Sequence, residues 1–223
     1  MNKFYNQNII LQWVIALLMF IVPFVILASL MKFHKDYKIA YILILIVPSS
    51  IQFFGAPIAK LSGLHKYLSP MLLVISANDK KYEIHNGTTF DYLMVMYNVK
   101  SGPEFSKKML IYYLEGLLKI IEKIETNELS ENVVIQGSSY FFNERTSKKL
   151  GFKLSKTNVA VKINMLINYL DLIWMYSLSQ GQLAFPNLIN MQTVSVKGKH
   201  LIMKKTKLNE LRLFLNRTSE KNM

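Results

Sequence analysis

Residues 103–126 read PEFSKKMLIYYLEGLLKIIEKIET, and this stretch decides the fold class. Its apolar residues recur at intervals of three and four positions, which predicts a long helix with one apolar face. Pro103 suits the first turn of a helix, and Glu104 lies near the positive end of the helix dipole. We therefore expect one long amphipathic helix here, and we take the rest of the chain outward from it.

Strand patterns flank the predicted helix on both sides. They lie at 71–76, 81–85 and 89–97 before it, and at 132–137 and 152–156 after it. Asn86 and Gly87 form the strongest short signal for a hairpin, because both central residues of that tight turn need positive φ angles. We expect three antiparallel strands, then the long helix, then further strands of a mixed sheet. The predicted fold class is thus α+β.

More helices are expected after the long one. Residues 143–150 predict a short helix, with Asn143 as its cap and Gly151 as its stop. Residues 158–180 are mostly apolar, so they predict either a helix packed on the domain or a helix lying at a bilayer surface. A strand at 192–196 and a last helix at 199–215 complete the expected elements.

The composition excludes several classes of protein. The chain has 223 residues, 51% of them hydrophobic, and no cysteine. The apolar fraction is too high for a disordered chain, and without cysteine there is no disulfide scaffold, thiolate zinc site or cysteine nucleophile. The four histidines are scattered without the spacing of metal ligands, so we expect no metal site.

The chain is strongly basic, with a formal charge of +13 from 27 basic and 14 acidic residues. Residues 197–223 hold eight of the basic and two of the acidic side chains. No nucleic-acid motif accompanies this charge, so we expect no nucleic-acid partner. We interpret Lys204, Lys205 and Lys207 as membrane-surface residues, because each basic residue near anionic lipid gains about 1 kcal/mol. A solvated basic end is the alternative.

Two uncharged runs precede the predicted sheet. Residues 9–31 carry no charge over 23 positions, enough for a helix to span a hydrocarbon core of roughly 30 Å. A secretory signal peptide is the alternative for this run. Residues 39–58 form a poorer run with a polar second half, which could cross the bilayer, bend at Pro48 or re-enter. Together the runs predict an N-terminal transmembrane helical hairpin.

These patterns divide the chain into four expected regions. They are a transmembrane hairpin at 1–60, a connector at 61–70, an α/β domain at 71–196 and a basic helix or tail at 197–223. The balance of basic residues between the two sides is nearly even and does not decide the orientation. We expect an integral membrane protein with its C-terminal domain in the cytoplasm, since that domain lacks cysteine.

The expected order of elements after residue 70 resembles the central and C-terminal part of the GNAT acetyltransferase fold. The stretch NERTSKKLGFK at 143–153 is similar to that family's late helix, which ends in an LGF turn into the next strand. The stretch at 137–153 is also similar to part of uncharacterised bacterial membrane proteins. The resemblance implies an acyltransferase-like protein of unknown substrate, with acyl-CoA as its cofactor.

The resemblance also implies a place for the cofactor. Lys100, Ser101 and Gly102 correspond to the loop whose N–H groups hold the acyl-CoA pyrophosphate at the start of the long helix. Only Gly102 matches that loop. Pro103 lacks an N–H, and Glu104 would repel a phosphate. The sequence therefore keeps the position of the cofactor loop but little of its chemistry.

Catalytic residues are implied in the same way. Tyr140, Asn143 and Ser147 would flank the thioester, with Tyr140 replacing the family's acid, whose own position holds Ser147. The other interpretation makes Tyr140 the end of a strand and Asn143 a helix cap. His85, next to the Asn86 turn, is interpreted as an exposed polar residue rather than a base that acts with Glu83.

Two functions from different classes remain open. The first is a membrane-anchored acyltransferase that acts on a lipid or a membrane protein. The second is a non-enzymatic, membrane-anchored adaptor that keeps a similar fold and binds anionic lipid or a protein partner through its basic surface. A transport role is not favoured, since the two predicted spans carry no charge inside the membrane.

Overall fold

The computed structural model describes residues 3–33, 37–78, 80–139, 147 and 151–220. The strands are β1 (Lys66–Ser69), β2 (Leu72–Ala77), β3 (Lys81–Asn86), β4 (Val134–Ser139), β5 (Lys153–Lys156) and β6 (Gln192–Lys197). The helices are a 3-10 turn (Lys3–Asn6), α1 (Ile9–Phe33), α2 (Tyr37–Leu61), α3 (Thr89–Met96), α4 (Pro103–Glu125), α5 (Val159–Ile167), α6 (Tyr169–Gln180), α7 (Gly198–Ile202) and α8 (Lys205–Glu220).

The strands form one mixed sheet in the order β1-β2-β3-β4-β6-β5. β1, β2 and β3 are antiparallel neighbours, β3 and β4 are parallel, and β6 pairs antiparallel with both β4 and β5. The parallel pair needs a long connection, which α3 and α4 supply. The predicted α+β class and mixed sheet are therefore found.

The long helix α4 packs its apolar face on the sheet, as the sequence predicts. Ile120 and Ile121 of α4 are fully buried together with Ile135 of β4. Gly116 allows the closest approach, because a Cβ there would lie 2.5 Å from the Cδ2 atom of Leu72 in β2. Since α8 also packs on this core through Leu208, the helix lies between the sheet and the basic C-terminal helix.

The strand predicted at 89–97 is wrong, because these residues form the helix α3. Thr88 caps this helix: its hydroxyl accepts from the N–H of Asp91, and its own N–H donates to the Asp91 carboxylate. This reciprocal capping box outweighs the apolar alternation that suggested a strand. The third antiparallel strand is instead β1, which lies inside the region predicted as a connector. Gly87, between β3 and α3, donates its N–H to the carbonyl of Met71.

The N-terminal helices α1 and α2 lie where the two uncharged runs were predicted, but not as membrane spans. In the part of the chain that the structure describes, no helix has the length and apolar character that a bilayer crossing requires. The predicted transmembrane hairpin at 9–31 and 39–58 and the integral membrane location are therefore wrong. Two small residues of the pair, Ala16 of α1 and Ala56 of α2, are buried in one cluster.

That cluster joins the helical pair to the rest of the fold. It contains Phe4 and Tyr5 of the 3-10 turn and Phe90 of α3. Gln12 is also buried, and its side-chain amide donates to the carbonyls of Tyr5 and Gln7 rather than across to α2. α1 nevertheless leaves large apolar side chains exposed, among them Ile10, Leu18 and Val25.

The C-terminal half follows the predicted order with two refinements. The apolar run at 158–180 is divided at Asn168 into α5 and α6, and the helix predicted at 199–215 is divided into α7 and α8. The strands predicted at 152–156 and 192–196 are present as β5 and β6. The helix predicted at 143–150 falls almost wholly outside the described residues.

Candidate functional site

The predicted cofactor loop lies at the start of α4, where Gly102 takes a φ angle of 96°. Lys100 and Ser101 are exposed, whereas Gly102 is buried. The N–H of Gly102 points at the carbonyl oxygen of Leu178 and donates to it over 2.8 Å. The N–H group that the acyltransferase resemblance assigns to a pyrophosphate is therefore already bonded within the protein.

The end of α6 covers the same helix start. The hydroxyl of Ser106 donates to the carbonyl of Ser179 over 2.8 Å. Gly181, which ends α6 at a φ angle of 73°, lies so close that a Cβ built on it would be 3.1 Å from the Gly102 Cα atom. Carbonyl groups of one helix thus satisfy donors at the start of another, which leaves little room for an anion.

The parallel strands β3 and β4 share a short ladder at the centre of the sheet. They pair over three positions, from Lys81 with Val134 to Glu83 with Gln136. At the next level, a Cβ on Gly137 would lie 3.0 Å from the Ile84 Cγ1 atom and 3.2 Å from the Ile84 carbonyl oxygen. The two strands are therefore still closely packed there.

Of the predicted catalytic residues, Tyr140 and Asn143 lie outside the described residues. Ser147 is described and is 1% exposed. Its carbonyl accepts the N–H of Phe152 over 2.9 Å, and its hydroxyl has no hydrogen-bond partner among the described residues. A hydroxyl this buried is not presented to solvent.

The three lysines predicted at a membrane surface lie near the last turn of α4. Lys205 bonds both carboxylate oxygens of Glu125, at 2.6 and 2.9 Å. Lys204 is half-buried, with its side chain close to Gly151, and Lys207 is exposed. As α4 has 23 residues, Glu125 lies about 34 Å from the helix start that α6 covers.

A polar cluster that the sequence analysis missed surrounds the first turn of α3. Asp91 is fully buried, and its Oδ2 atom accepts from the hydroxyl of Tyr67 over 2.6 Å. The same atom accepts from the N–H and the hydroxyl of Thr88, each over 2.8 Å. Three donors on one oxygen stabilise a charged carboxylate, and the N-terminus of α3 adds to this.

The tyrosines of this cluster remain protonated. Burial first, and then the nearby Asp91, raises the pKa of both Tyr5 and Tyr67 far above the ordinary value of 10.0. The Lys60 ammonium lies over both rings, 5.9 Å from the Tyr5 centroid and 5.3 Å from the Tyr67 centroid. The Tyr67 phenol therefore joins β1 to α3, and the Lys60 ammonium joins α2 to the rings of Tyr5 and Tyr67. The cluster offers no activated nucleophile.

A second buried carboxylate, Asp171 of α6, lies near the first turn of α3. Burial raises its pKa from the ordinary value of 3.8, and the hydroxyls of Ser49 and Thr89 oppose that rise by favouring the charged form. Ser49 belongs to α2 and Thr89 to α3. Asp171 therefore lies near both helices, on the side of α3 where Thr89 lies.

Two histidines lie near each other, His85 in β3 and His65 just before β1. The Nε2 atom of His85 is 3.8 Å from the Oε1 atom of Glu83. The two side chains are neighbours because residues two apart on a strand share a face, and the His85 side chain is 40% exposed. Burial lowers the pKa of both histidines. The nearby His85 lowers the pKa of His65 further, whereas Glu83 partly opposes the lowering of the His85 pKa.

We expect the free energy of unfolding to decrease as the pH falls below about 6.5. Because the pKa of His65 and His85 is lowered from 6.5 by folding, the unfolded chain binds more protons below that pH. Their contribution is complete above pH 6.5 and is lost as the pH falls toward the lowered values. Denaturant titrations at several pH values measure it, and the double variant His65→Gln, His85→Gln should show a shallower pH dependence. Equal slopes would contradict this assignment.

A metal centre is not formed by the described part of the chain, where no group of three or more histidine, aspartate or glutamate side chains is close enough to hold an ion. Comparison of the chain with protein families, curated proteins and solved structures finds no match.

Proposed function

We propose that the chain is a non-enzymatic binding module that associates with an anionic lipid surface through its exposed basic residues. The hydrogen bond from the Gly102 N–H to the Leu178 carbonyl favours this function over an acyltransferase. An acyl-CoA enzyme of the kind the sequence resembles needs that N–H free for the pyrophosphate. Here a carbonyl near the end of α6 occupies the position that the pyrophosphate would need, which favours binding over catalysis.

The excess charge supports the choice of partner. With +13 on 223 residues, the chain is attracted to surfaces of negative potential, and each basic residue near anionic lipid contributes about 1 kcal/mol. Lys205 is already bonded to Glu125, so this proposal depends on the sum of the exposed lysines rather than on the C-terminal group alone. Such an attachment is peripheral and electrostatic.

We expect the full chain not to bind acetyl-CoA or longer acyl-CoA. The helix start that would receive the pyrophosphate is bonded to Leu178 and covered by Gly181. Isothermal titration calorimetry should give no saturable heat up to about 1 mM ligand, where binding would be worth only about 4 kcal/mol. A dissociation constant in the micromolar range would contradict the proposal and restore the acyltransferase hypothesis.

We expect the full chain to sediment with vesicles of phosphatidylserine and phosphatidylcholine but not with vesicles of phosphatidylcholine alone. Because the attraction is electrostatic, raising the salt from about 0.1 to 0.5 M should weaken it about tenfold or more. Association that is equal on neutral and anionic vesicles, or that is insensitive to salt, would contradict the proposal.

A further inference from the structure

Helix α5 directs its apolar side away from the protein. None of its residues is buried. Val159, Ile163 and Leu166 are all exposed, and their spacing of four and three residues places them on one side of the helix. A surface helix of a globular protein normally packs this stripe on the core. In α5 the stripe faces solvent instead.

The loop after α6 extends this apolar area. The N–H of Ala184 donates to the hydroxyl of Ser177, and the hydroxyl of Tyr169 donates to the carbonyl of Pro186. The loop therefore runs back along α6 toward its first residue, which follows α5. This brings the exposed side chains of Phe185 and Ile189 to the junction of α5 and α6. We use the name α5 surface for six exposed apolar residues, which are Val159, Ile163, Leu166, Ile167, Phe185 and Ile189.

Within residues 152–191, which include α5 and α6, the exposed charged side chains have one sign. Residues 152–191 contain three lysines, Lys153, Lys156 and Lys162, and a single acidic residue, Asp171. Asp171 is 7% exposed and faces Ser49 and Thr89 inside the fold. This part of the chain thus combines the apolar stripe with two exposed lysines, Lys153 and Lys156, the half-buried Lys162, and no exposed carboxylate. This combination matches an anionic headgroup layer, where apolar side chains enter and lysines meet phosphate groups.

We infer that the α5 surface is the part of the chain that lies in the headgroup layer of the anionic lipid surface, with Lys156 and Lys162 against the phosphates. The inference rests on the proposed function and makes it specific. The contact is not assigned to the Lys205 region, which lies at the far end of α4 from the end of α6. Insertion of the apolar side chains then adds to the binding free energy a contribution that salt does not remove.

A matched pair of variants of the full chain tests the inference. Leu166→Glu places a carboxylate on the α5 surface, at a side chain that is 65% exposed, and Met203→Glu places one beside α8, at a side chain that is 79% exposed. On vesicles of phosphatidylserine and phosphatidylcholine we expect Leu166→Glu to weaken association about tenfold and Met203→Glu less than twofold. Both variants change the net charge equally, so only position separates them.

A second measurement does not depend on the stability of a charged variant. Tryptophan in Leu166→Trp should be quenched by brominated phosphatidylcholine in the anionic vesicles beyond the signal of the native tryptophans, and tryptophan in Met203→Trp should not. If the wild type does not prefer anionic vesicles, the proposed function itself fails. If it does prefer them, but the two glutamate variants bind alike and the two tryptophans are quenched alike, the α5 surface is excluded and the proposed function survives.

Discussion

Replacing Asp91 with alanine is expected to lower the free energy of unfolding by about 3 kcal/mol. Its fully buried carboxylate accepts three hydrogen bonds, from Tyr67 and twice from Thr88. The substitution removes the half of the capping box in which the Thr88 N–H donates to the Asp91 carboxylate, and it leaves the Tyr67 hydroxyl without this acceptor in a buried position. Chemical denaturation of the full chain, followed by circular dichroism, measures the loss.

Tyr67→Phe is the control for this prediction. It removes one of the three bonds and leaves no donor without an acceptor, so we expect a loss of about 1 kcal/mol. If Asp91→Ala costs no more than Tyr67→Phe, the carboxylate does not join the elements around α3.

Local patterns in the sequence were sufficient to predict α4 and most strands. The three- and four-residue periodicity from Pro103 onward predicted a helix that the structure ends at Glu125, one residue before the predicted end. The strand predicted at 89–97 failed for an equally local reason. The signal Thr-x-x-Asp at Thr88 to Asp91 marks a helix start, and giving it more weight than the preceding Asn-Gly pair would have corrected the prediction.

The polar cluster, by contrast, could not be predicted from any single segment. Tyr5 and Asp91 are 86 positions apart, and Tyr67 belongs to a strand in a region that looked like a connector. Each residue alone resembles an ordinary surface tyrosine or helix cap. Only the packing of the 3-10 turn on α3 brings them together.

The same limit explains the two other departures from the sequence analysis. The loop at Gly102 was recognised by position, but the group that blocks it, Leu178, comes from a helix 76 residues further along the chain. The transmembrane prediction depended on composition alone. Composition does not show which neighbours a helix packs against, and here Ala56 of α2 lies in a cluster with the 3-10 turn and α3.

Phe90 lies at the centre of the contact between α3, the 3-10 turn and α2. Phe90→Ala is expected to lower the free energy of unfolding by about 4 kcal/mol, the cost of removing a fully buried aromatic ring from a packed site. The ring lies 5.5 Å from the ring of Phe4, 6.2 Å from Tyr5 and 5.8 Å from Phe53, measured between centroids. The side chain thus holds the 3-10 turn and α2 against α3. Denaturant titration of the full chain measures the effect.

Leu93→Ala, on the same helix, is the matched control. Leu93 is 45% exposed and contributes less buried area, so we expect a loss below about 1 kcal/mol. The difference between the two variants then isolates the contact of α3 with the N-terminal elements from any general weakening of the helix. Because Asp91 is the next residue after Phe90, the cost of the double variant Phe90→Ala, Asp91→Ala should fall short of the sum of the single costs. Strict additivity would mean that the aromatic contact and the carboxylate cluster are separate structures, and that α3 is not the joint between the helical pair and the sheet.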